Sequence, residues 1–113
     1  MRIAIALMLF GAAALSAAGS AAGRDAVSTK PAGHTVTMEA TSFAPVVLTI
    51  RQGDSVTWVN KDPFPHTAAS GAAGFGSPII LAGKSWTHTF EKKGEFDYVC
   101  TLHPTMKAKL RVK

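Results

Sequence analysis

The feature that most constrains the fold is a period-two alternation of apolar and polar residues, which recurs along the chain from residue 36 onwards. Successive side chains of a strand point to opposite faces, so this pattern predicts half-buried β-strands rather than helices, whose apolar residues recur about every 3.6 positions. The apolar positions are Val36, Met38, Val46, Leu48, Ile50, Val56, Trp58, Trp86, Phe90, Phe96, Tyr98, Ala108, Leu110 and Val112.

Turn-forming residues separate these segments. They occur at Gly53-Asp54, Asp62-Pro63, Gly83-Lys84 and Lys93-Gly94. Several short strands with regular turn signals predict an all-β fold, an antiparallel or mixed β-sandwich. The alanine- and glycine-rich stretch 68–76 has too few packing groups for a core strand, so we expect a surface loop from which Phe75 could pack back.

The N-terminal segment has the organisation of a secretory signal peptide. Met1 and Arg2 precede an apolar run from Ile3 to Leu15, and small residues follow up to Gly23. A membrane anchor is the alternative, but the run is short for a span. We expect cleavage of residues 1–22 and export to the periplasm, a flexible arm over 23–33 and a domain over 34–113; a cut after Ala18 is the competing site.

Charge and cysteine content narrow the classes of function. The mature chain would carry 11 basic and 7 acidic residues, a net charge of +4, after the loss of Arg2. The basic residues are dispersed and not interleaved with aromatic ones, so no nucleic-acid partner is expected. A single cysteine, Cys100, excludes a disulfide scaffold. In an exported protein it is an intermolecular thiol, a buried small hydrophobe or a metal ligand.

The segment around Cys100 carries the chemistry. Cys100, His103 and Met106 place a thiol, an imidazole and a thioether three residues apart, just before the final strand, and Pro104 stiffens the segment. His66, 34 residues before Cys100, is the candidate second imidazole. Two imidazole nitrogens, a thiolate and a weak thioether form a set that selects copper and lets it cycle between Cu(I) and Cu(II). Zinc normally takes more thiolate or a carboxylate.

Residues 36–113 resemble the cupredoxins, or type 1 blue-copper proteins. The resembling segments are Gly53–Asn60, Pro65–Thr67 and Gly94–Cys100. Two residues separate Cys100 from His103, and two separate His103 from Met106. This spacing is similar to the short loop of amicyanins, whereas plastocyanins have a longer interval between histidine and methionine.

The resemblance implies a Greek-key β-sandwich of about seven to eight strands that binds one type 1 copper. It implies that His66, Cys100 and His103 are equatorial ligands and that Met106 is the axial ligand. It further implies that Asn60 ties the His66 turn to the cysteine loop by a hydrogen bond. His34 and His88 have no other potential metal ligands near them in the sequence, so they are expected to be structural or surface residues.

These expectations favour a monomeric, exported one-electron carrier. Protein ligands fill all four copper positions, so no position is left for a substrate and no enzyme activity is expected. Redox partners would dock transiently on apolar residues around the His103 edge, namely Leu102, Pro104, Phe64 and Pro65. No membrane association is expected after signal cleavage. The alternatives are copper trafficking or resistance, which methionine- or histidine-rich tails would support, and a β-sandwich interaction module with an incidental thiol.

Overall fold

The computed structural model describes residues 30–113, which form nine β-strands. The strands are β1 (Gly33–Glu39), β2 (Ser42–Ala44), β3 (Val47–Ile50), β4 (Ser55–Asn60), β5 (Ala69–Ser70), β6 (Phe75–Gly76), β7 (Ser85–Thr89), β8 (Gly94–Cys100) and β9 (His103–Val112). Within this range there is no helix with the length and apolarity needed to span a membrane. The expected signal peptide, 1–22, and residues 23–29 of the expected arm lie outside the described residues.

The strands form two mixed sheets, which confirms the predicted all-β sandwich. One sheet has the order β2-β1-β4-β7 and the other β3-β9-β8-β5-β6. β1 pairs in parallel with β4, and β3 pairs in parallel with β9. The parallel register brings Met38, near the end of β1, beside Asn60 at the end of β4. These strand ends lie at the same end of the sandwich as the turn between β8 and β9.

The core is built from the alternating inward positions that the sequence pattern predicts. Trp58 lies at its centre, with ring centroids of four other aromatic residues at 5.5–6.1 Å. The inward faces of the three central strands also carry polar or sulfur-bearing residues at one end. Inward residues are Val56, Trp58 and Asn60 on β4, Phe96, Tyr98 and Cys100 on β8, and Met106, Ala108, Leu110 and Val112 on β9. The same alternation that builds the core therefore aims Cys100 and Met106 inward.

The structure has more strands than the seven to eight expected, because the additional ones are very short. β2 has three residues and a single buried apolar side chain, Phe43, which is too few to reveal a period in the sequence. Ala69–Ser70 and Phe75–Gly76 form a small hairpin where a surface loop was expected, and Phe75 is buried in the core. Val46 is 58% exposed rather than inward, since β3 begins one residue later.

The outward face of β9 carries basic side chains, two of which form ion pairs with acidic residues of β8. Lys109 Nζ lies 3.2 Å from Glu95 and 3.9 Å from Asp97, and the Arg111 Nε atom lies 3.5 Å from Glu95. Exposed ion pairs of this kind add little stability. They do offset the positive charge of the strand, which favours a solvated face over a docking patch.

Asp54 fastens the start of β1 to the turn between β3 and β4. Its buried carboxylate accepts hydrogen bonds from the backbone nitrogens of Ala32 and Arg51, at 2.8 and 3.0 Å, and from His34 Nε2 at 2.9 Å. The Ala32 bond, together with those from His34 and Arg51, outweighs burial and lowers the pKa of Asp54 from 3.8 to about 2.

The lowered pKa of Asp54 predicts a contribution to acid stability. Ionised Asp54 stabilises the fold fully above its ordinary pKa of 3.8, and this contribution is lost as the pH falls through about 2. We therefore expect Asp54→Asn to lower the urea midpoint at neutral pH and to weaken its fall across that acidic window. Urea unfolding at several pH values measures both effects. The exposed Asp97→Asn is the control, and an unchanged pH dependence in Asp54→Asn would contradict the prediction.

Candidate metal centre

The turn between β8 and β9 brings Cys100 and His103 together. β8 ends at Cys100 and β9 begins at His103, so only Thr101 and Leu102 lie between the strands, and Cys100 and His103 are register partners. Opposed residues of an antiparallel pair share a face of the sheet. Cys100 Sγ lies 3.8 Å from His103 Nδ1. His103 and Met106 belong to β9 itself and not, as expected, to a segment before it.

The third member of the group, His66, comes from the segment between β4 and β5. Its backbone pairs with Ile80 through two hydrogen bonds of 3.1 and 2.8 Å, which fixes the position of the ring. His66 Nδ1 lies 3.7 Å from Cys100 Sγ. The candidate ligand atoms of His66, Cys100 and His103 all lie within 4.8 Å of one another. The structure therefore brings together three of the four predicted ligands.

The distances within this group fit a shared metal ion. Metal bonds of about 2.05 Å to nitrogen and 2.3 Å to sulfur, separated by an angle of about 120°, place the two ligand atoms about 3.8 Å apart. The two observed sulfur-to-nitrogen distances are 3.7 and 3.8 Å. Two imidazoles and one thiolate in a trigonal arrangement are a donor set that suits copper.

Met106, the fourth predicted ligand, lies on the inward face of β9 and is 2% exposed. It is the first buried residue of β9 after His103, because Pro104 and Thr105 are exposed. This position makes its thioether available at the metal end of the core. Its role as a ligand stays a prediction.

The environment of Cys100 favours a thiolate. Burial favours the neutral thiol, but the Thr67 backbone amide, which donates to Sγ at 3.3 Å, and the neighbouring histidines lower the pKa of Cys100 to about 6. Metal binding requires the deprotonated sulfur. The contacts made by the fold therefore favour the metal-binding thiolate form of Cys100 at neutral pH.

A buried carboxylate, Asp62, orients His66. His66 Nε2 donates to Asp62 Oδ2 at 2.7 Å, which leaves the lone pair of Nδ1 directed at the Cys100 side. The same carboxylate accepts hydrogen bonds from the backbone nitrogens of Ala40 and Thr41, at 2.6 and 2.9 Å. Burial opposes its ionisation, but the bonds from His66, Thr41 and Ala40 prevail and hold the pKa of Asp62 below its ordinary value.

The structure corrects the role expected for Asn60. Its Nδ2 donates to the carbonyls of Phe64 and Ile80, at 2.7 and 2.9 Å, and its Oδ1 accepts from the Asp62 amide at 2.9 Å. These bonds shape the segment that leads to His66 but do not reach the cysteine loop.

Thr67 makes the connection between the two loops instead. Its Oγ1 accepts from the Thr101 amide at 2.8 Å and lies 2.8 Å from Thr101 Oγ1, while its own amide donates to Cys100 Sγ. The contacts span 33 and 34 residues of sequence. The resemblance implied this connection for Asn60. It assigned no role to Thr67, although Thr67 belongs to the resembling segment Pro65–Thr67.

The remaining histidines lie outside this group. His34 bonds to Asp54, and the His88 ring stacks on Phe75 and Trp86 with centroid distances of 5.7 and 5.3 Å. Sequence reasoning missed Asp62, although its position four residues before His66 was a usable signal.

Comparisons with known proteins agree with the fold. The Cupredoxin-like domain family matches residues 3–112. Amicyanin-alpha of Methylorubrum extorquens is 34% identical over 119 residues, covering 100% of this chain and 98% of that protein. Amicyanin of Paracoccus denitrificans is 34% identical over 71 residues, and the match covers 58% of this chain and only 54% of that relative.

Solved structures give the same result. A proline-to-glycine variant of amicyanin, in its reduced Cu(I) form at pH 4, superposes with a TM-score of 0.67 at 28% identity over 72% of this chain and 82% of that one. The sandwich, the family match and the near full-length relative lead to one conclusion: this chain belongs to the cupredoxin-like family.

Proposed function

We propose that this protein is a type 1 blue-copper protein that carries single electrons between larger redox proteins and catalyses no reaction of its own. The observation that carries the proposal is the buried Cys100 Sγ at 3.7 and 3.8 Å from two histidine Nδ1 atoms. The relatives named amicyanin support it. Copper supplies the one-electron chemistry by cycling between Cu(I) and Cu(II).

The protein's contribution is a set of ligands held in place before the metal binds. Asp62 holds the His66 ring, and the amide of Thr67 holds the Cys100 sulfur. A fixed set of nitrogen and sulfur donors changes little between the two oxidation states, which favours fast electron transfer. With Met106 as the proposed fourth ligand, every copper position is filled by protein, which is the arrangement of a carrier rather than of an enzyme.

We infer that the electron enters and leaves through an apolar patch around the metal centre. Four large apolar side chains in the loops that surround the centre are exposed by 44–58%, and they are Phe64, Ile79, Leu81 and Leu102. Leu102 lies in the turn between Cys100 and His103, and Ile79 and Leu81 flank the residue that pairs with His66. Transient redox partners use small interfaces, for which such a patch suffices. Ile79 and Leu81 extend the patch predicted from sequence around His103, Leu102 and Pro104.

The patch predicts a selective effect of a charge at Leu102. In Leu102→Lys, burial of the ammonium group against a partner is unfavourable, so electron exchange should slow by roughly tenfold, equivalent to about 1.4 kcal/mol. Stopped-flow exchange with a redox protein measures the rate, and the visible spectrum should not change. Val46→Lys is the control, because Val46 is also exposed but lies at a sheet edge before β3. Equal rates in all three proteins would remove the patch from the proposal.

The proposal includes export to the periplasm and a monomeric state. The apolar run from Ile3 to Leu15 after a basic residue supports export. Fractionation of cells that express the full chain tests the location, and retention in the cytoplasm would contradict it.

The proposed function is tested by adding Cu(II) to the metal-free protein. We expect one copper per chain, an intense blue sulfur-to-copper absorption and a small copper hyperfine splitting in the electron paramagnetic resonance spectrum. A pale, ordinary copper spectrum would reject the electron carrier in favour of copper trafficking. Failure to bind copper at all would favour an interaction module.

A further inference from the structure

Two exposed lysines lie beside the apolar patch at the end of β4. Lys61 directly follows Asn60, the last residue of that strand. The backbone of Lys84 is held between the strand end and the patch, because its carbonyl accepts from the Asn60 amide at 2.9 Å and its amide donates to the Leu81 carbonyl at 2.9 Å. Both lysines are therefore next to the segment that carries His66.

A third exposed lysine, Lys107, lies on the other sheet at the same end of the sandwich. Its register partner is Val99, the residue before Cys100, and it directly follows the buried Met106 on β9. Its side chain therefore points outward close to the turn that carries Leu102. The three lysines approach the apolar patch from both sheets.

The charges of these three lysines are not compensated within the chain. In the part of the chain that the structure describes, the acidic partners of ion pairs contact His34, His66, Lys109 and Arg111, and none contacts the three lysines. One exposed carboxylate, Glu39 at the end of β1, lies at this end of the sandwich. The other exposed carboxylates of residues 30–113 are on β8 or at the opposite end, and they are Glu91, Glu95 and Asp97. The surroundings of the apolar patch are therefore positively charged.

We propose that the redox partner docks on the apolar patch through an apolar surface of its own that is surrounded by carboxylates. This inference rests on the proposed function, and it adds the charge of the partner. Carboxylates opposite Lys61, Lys84 and Lys107 would steer the encounter, while the apolar centre excludes water at the His103 edge. A second copy of this chain fits the patch poorly, because its own lysines would be brought against these three.

Two redox proteins of opposite charge test the proposal, namely plant-type ferredoxin, which is acidic, and mitochondrial cytochrome c, which is basic. Stopped-flow absorption records the reduction of the Cu(II) protein by each reduced probe. As the ionic strength falls from about 0.5 M to about 0.05 M, the rate with ferredoxin should rise and the rate with cytochrome c should fall, because screening weakens. A rate that rises with cytochrome c, or is independent of salt with both probes, would overturn the proposal.

A matched pair of triple variants distinguishes the patch from the general positive charge of the protein. Combining Lys61→Gln, Lys84→Gln and Lys107→Gln should slow reduction by ferredoxin about tenfold at low ionic strength. The control combines Lys92→Gln, Lys93→Gln and Lys113→Gln, which gives the same net charge.

The three control lysines lie at the opposite end of the sandwich, before β8 and after β9. The seven residues of β8 separate the two ends by roughly 20 Å, about two Debye lengths at 0.1 M salt. The control variant should therefore change the rate by less than about twofold. Equal losses in the two triple variants would overturn the proposal.

A measurement on the metal-free protein keeps this inference separate from the proposed function. Addition of oxidised ferredoxin should shift the amide NMR signals of Leu102 and of the three lysines around the patch, and not those of Lys93 and Lys113. Such shifts in a protein that gives no blue copper spectrum would support the acidic docking partner and reject the electron carrier. A blue protein with no shifts, or with equal shifts at both ends, would overturn the acidic partner alone. Dimerisation through the patch without ferredoxin would assign it to a second copy and would also overturn the proposal.

Discussion

In Cys100→Ser, the intense blue absorption of the copper-loaded protein is expected to disappear. The band requires a thiolate bonded to Cu(II), and Cys100 is the sole cysteine of the chain. A serine hydroxyl is a harder donor that stays protonated at neutral pH, so the two histidines would hold copper weakly and in an ordinary geometry. Visible absorption and electron paramagnetic resonance, recorded after addition of one equivalent of Cu(II), measure the loss.

The control for Cys100→Ser is a variant that changes the same segment of the chain without removing a candidate copper ligand. Thr105→Ser serves this purpose, because Thr105 is exposed on β9 between His103 and Met106. It should keep the blue band at full intensity. Thermal unfolding of the two metal-free variants shows whether each has folded. A blue band that persists in folded Cys100→Ser would show that the sulfur is not a ligand and would remove the basis of the proposed function.

The parts of the site that could be predicted from sequence depend on short-range patterns. Cys100, His103 and Met106 lie within seven residues, so their spacing and the strand alternation around them limit where their side chains can point. The period-two pattern places Cys100 on the same face of the strand as Phe96 and Tyr98, and all three are buried in the structure. The prediction of these site residues therefore depended mainly on their short spacing and on which strand face points into the core.

The parts that could not be predicted depend on contacts between distant segments. Thr67 meets Cys100 and Thr101 across 33 and 34 residues, and the identity of a threonine says nothing about such a partner. The bonds from Ala40 and Thr41 to Asp62 could not be predicted for the same reason, because they join residues 22 and 21 positions apart. The shortest strands were missed because two or three residues cannot show a period.

The second large effect is expected at Asp62, whose carboxylate satisfies three donors at once. Asp62→Asn keeps the shape of the side chain, but its amide has a single acceptor oxygen and turns an NH2 group towards the other donors. The donors are the backbone amides of Ala40 and Thr41, in part-buried bonds, and the Nε2–H of the buried His66. Loss of these bonds, chiefly the buried one to His66, should lower the free energy of unfolding by about 1–3 kcal/mol. Urea unfolding of the metal-free protein measures the loss, with the exposed Asp97→Asn as the control.

Loss of the Asp62 carboxylate should also weaken copper binding, by about 10- to 100-fold, because the orientation of the His66 ring is no longer fixed. Competition with a chelator of known copper affinity measures this change.

Two glycine substitutions separate the role of Asp62 in stabilising the turn at Ala40 and Thr41 from its role in orienting His66. Ala40 and Thr41 have φ angles of 55° and 56°, a left-handed conformation that costs non-glycine residues about 1 kcal/mol or more each, and the Asp62 carboxylate helps to hold it. Adding Ala40→Gly and Thr41→Gly to Asp62→Asn should therefore recover part of the lost stability, because glycine adopts this conformation without the steric penalty. It should not recover copper affinity, since His66 still lacks its acceptor. Recovery of both would show that Asp62 acts through the turn alone, and an unchanged urea midpoint in Asp62→Asn would show that the buried carboxylate stabilises neither the turn nor the histidine.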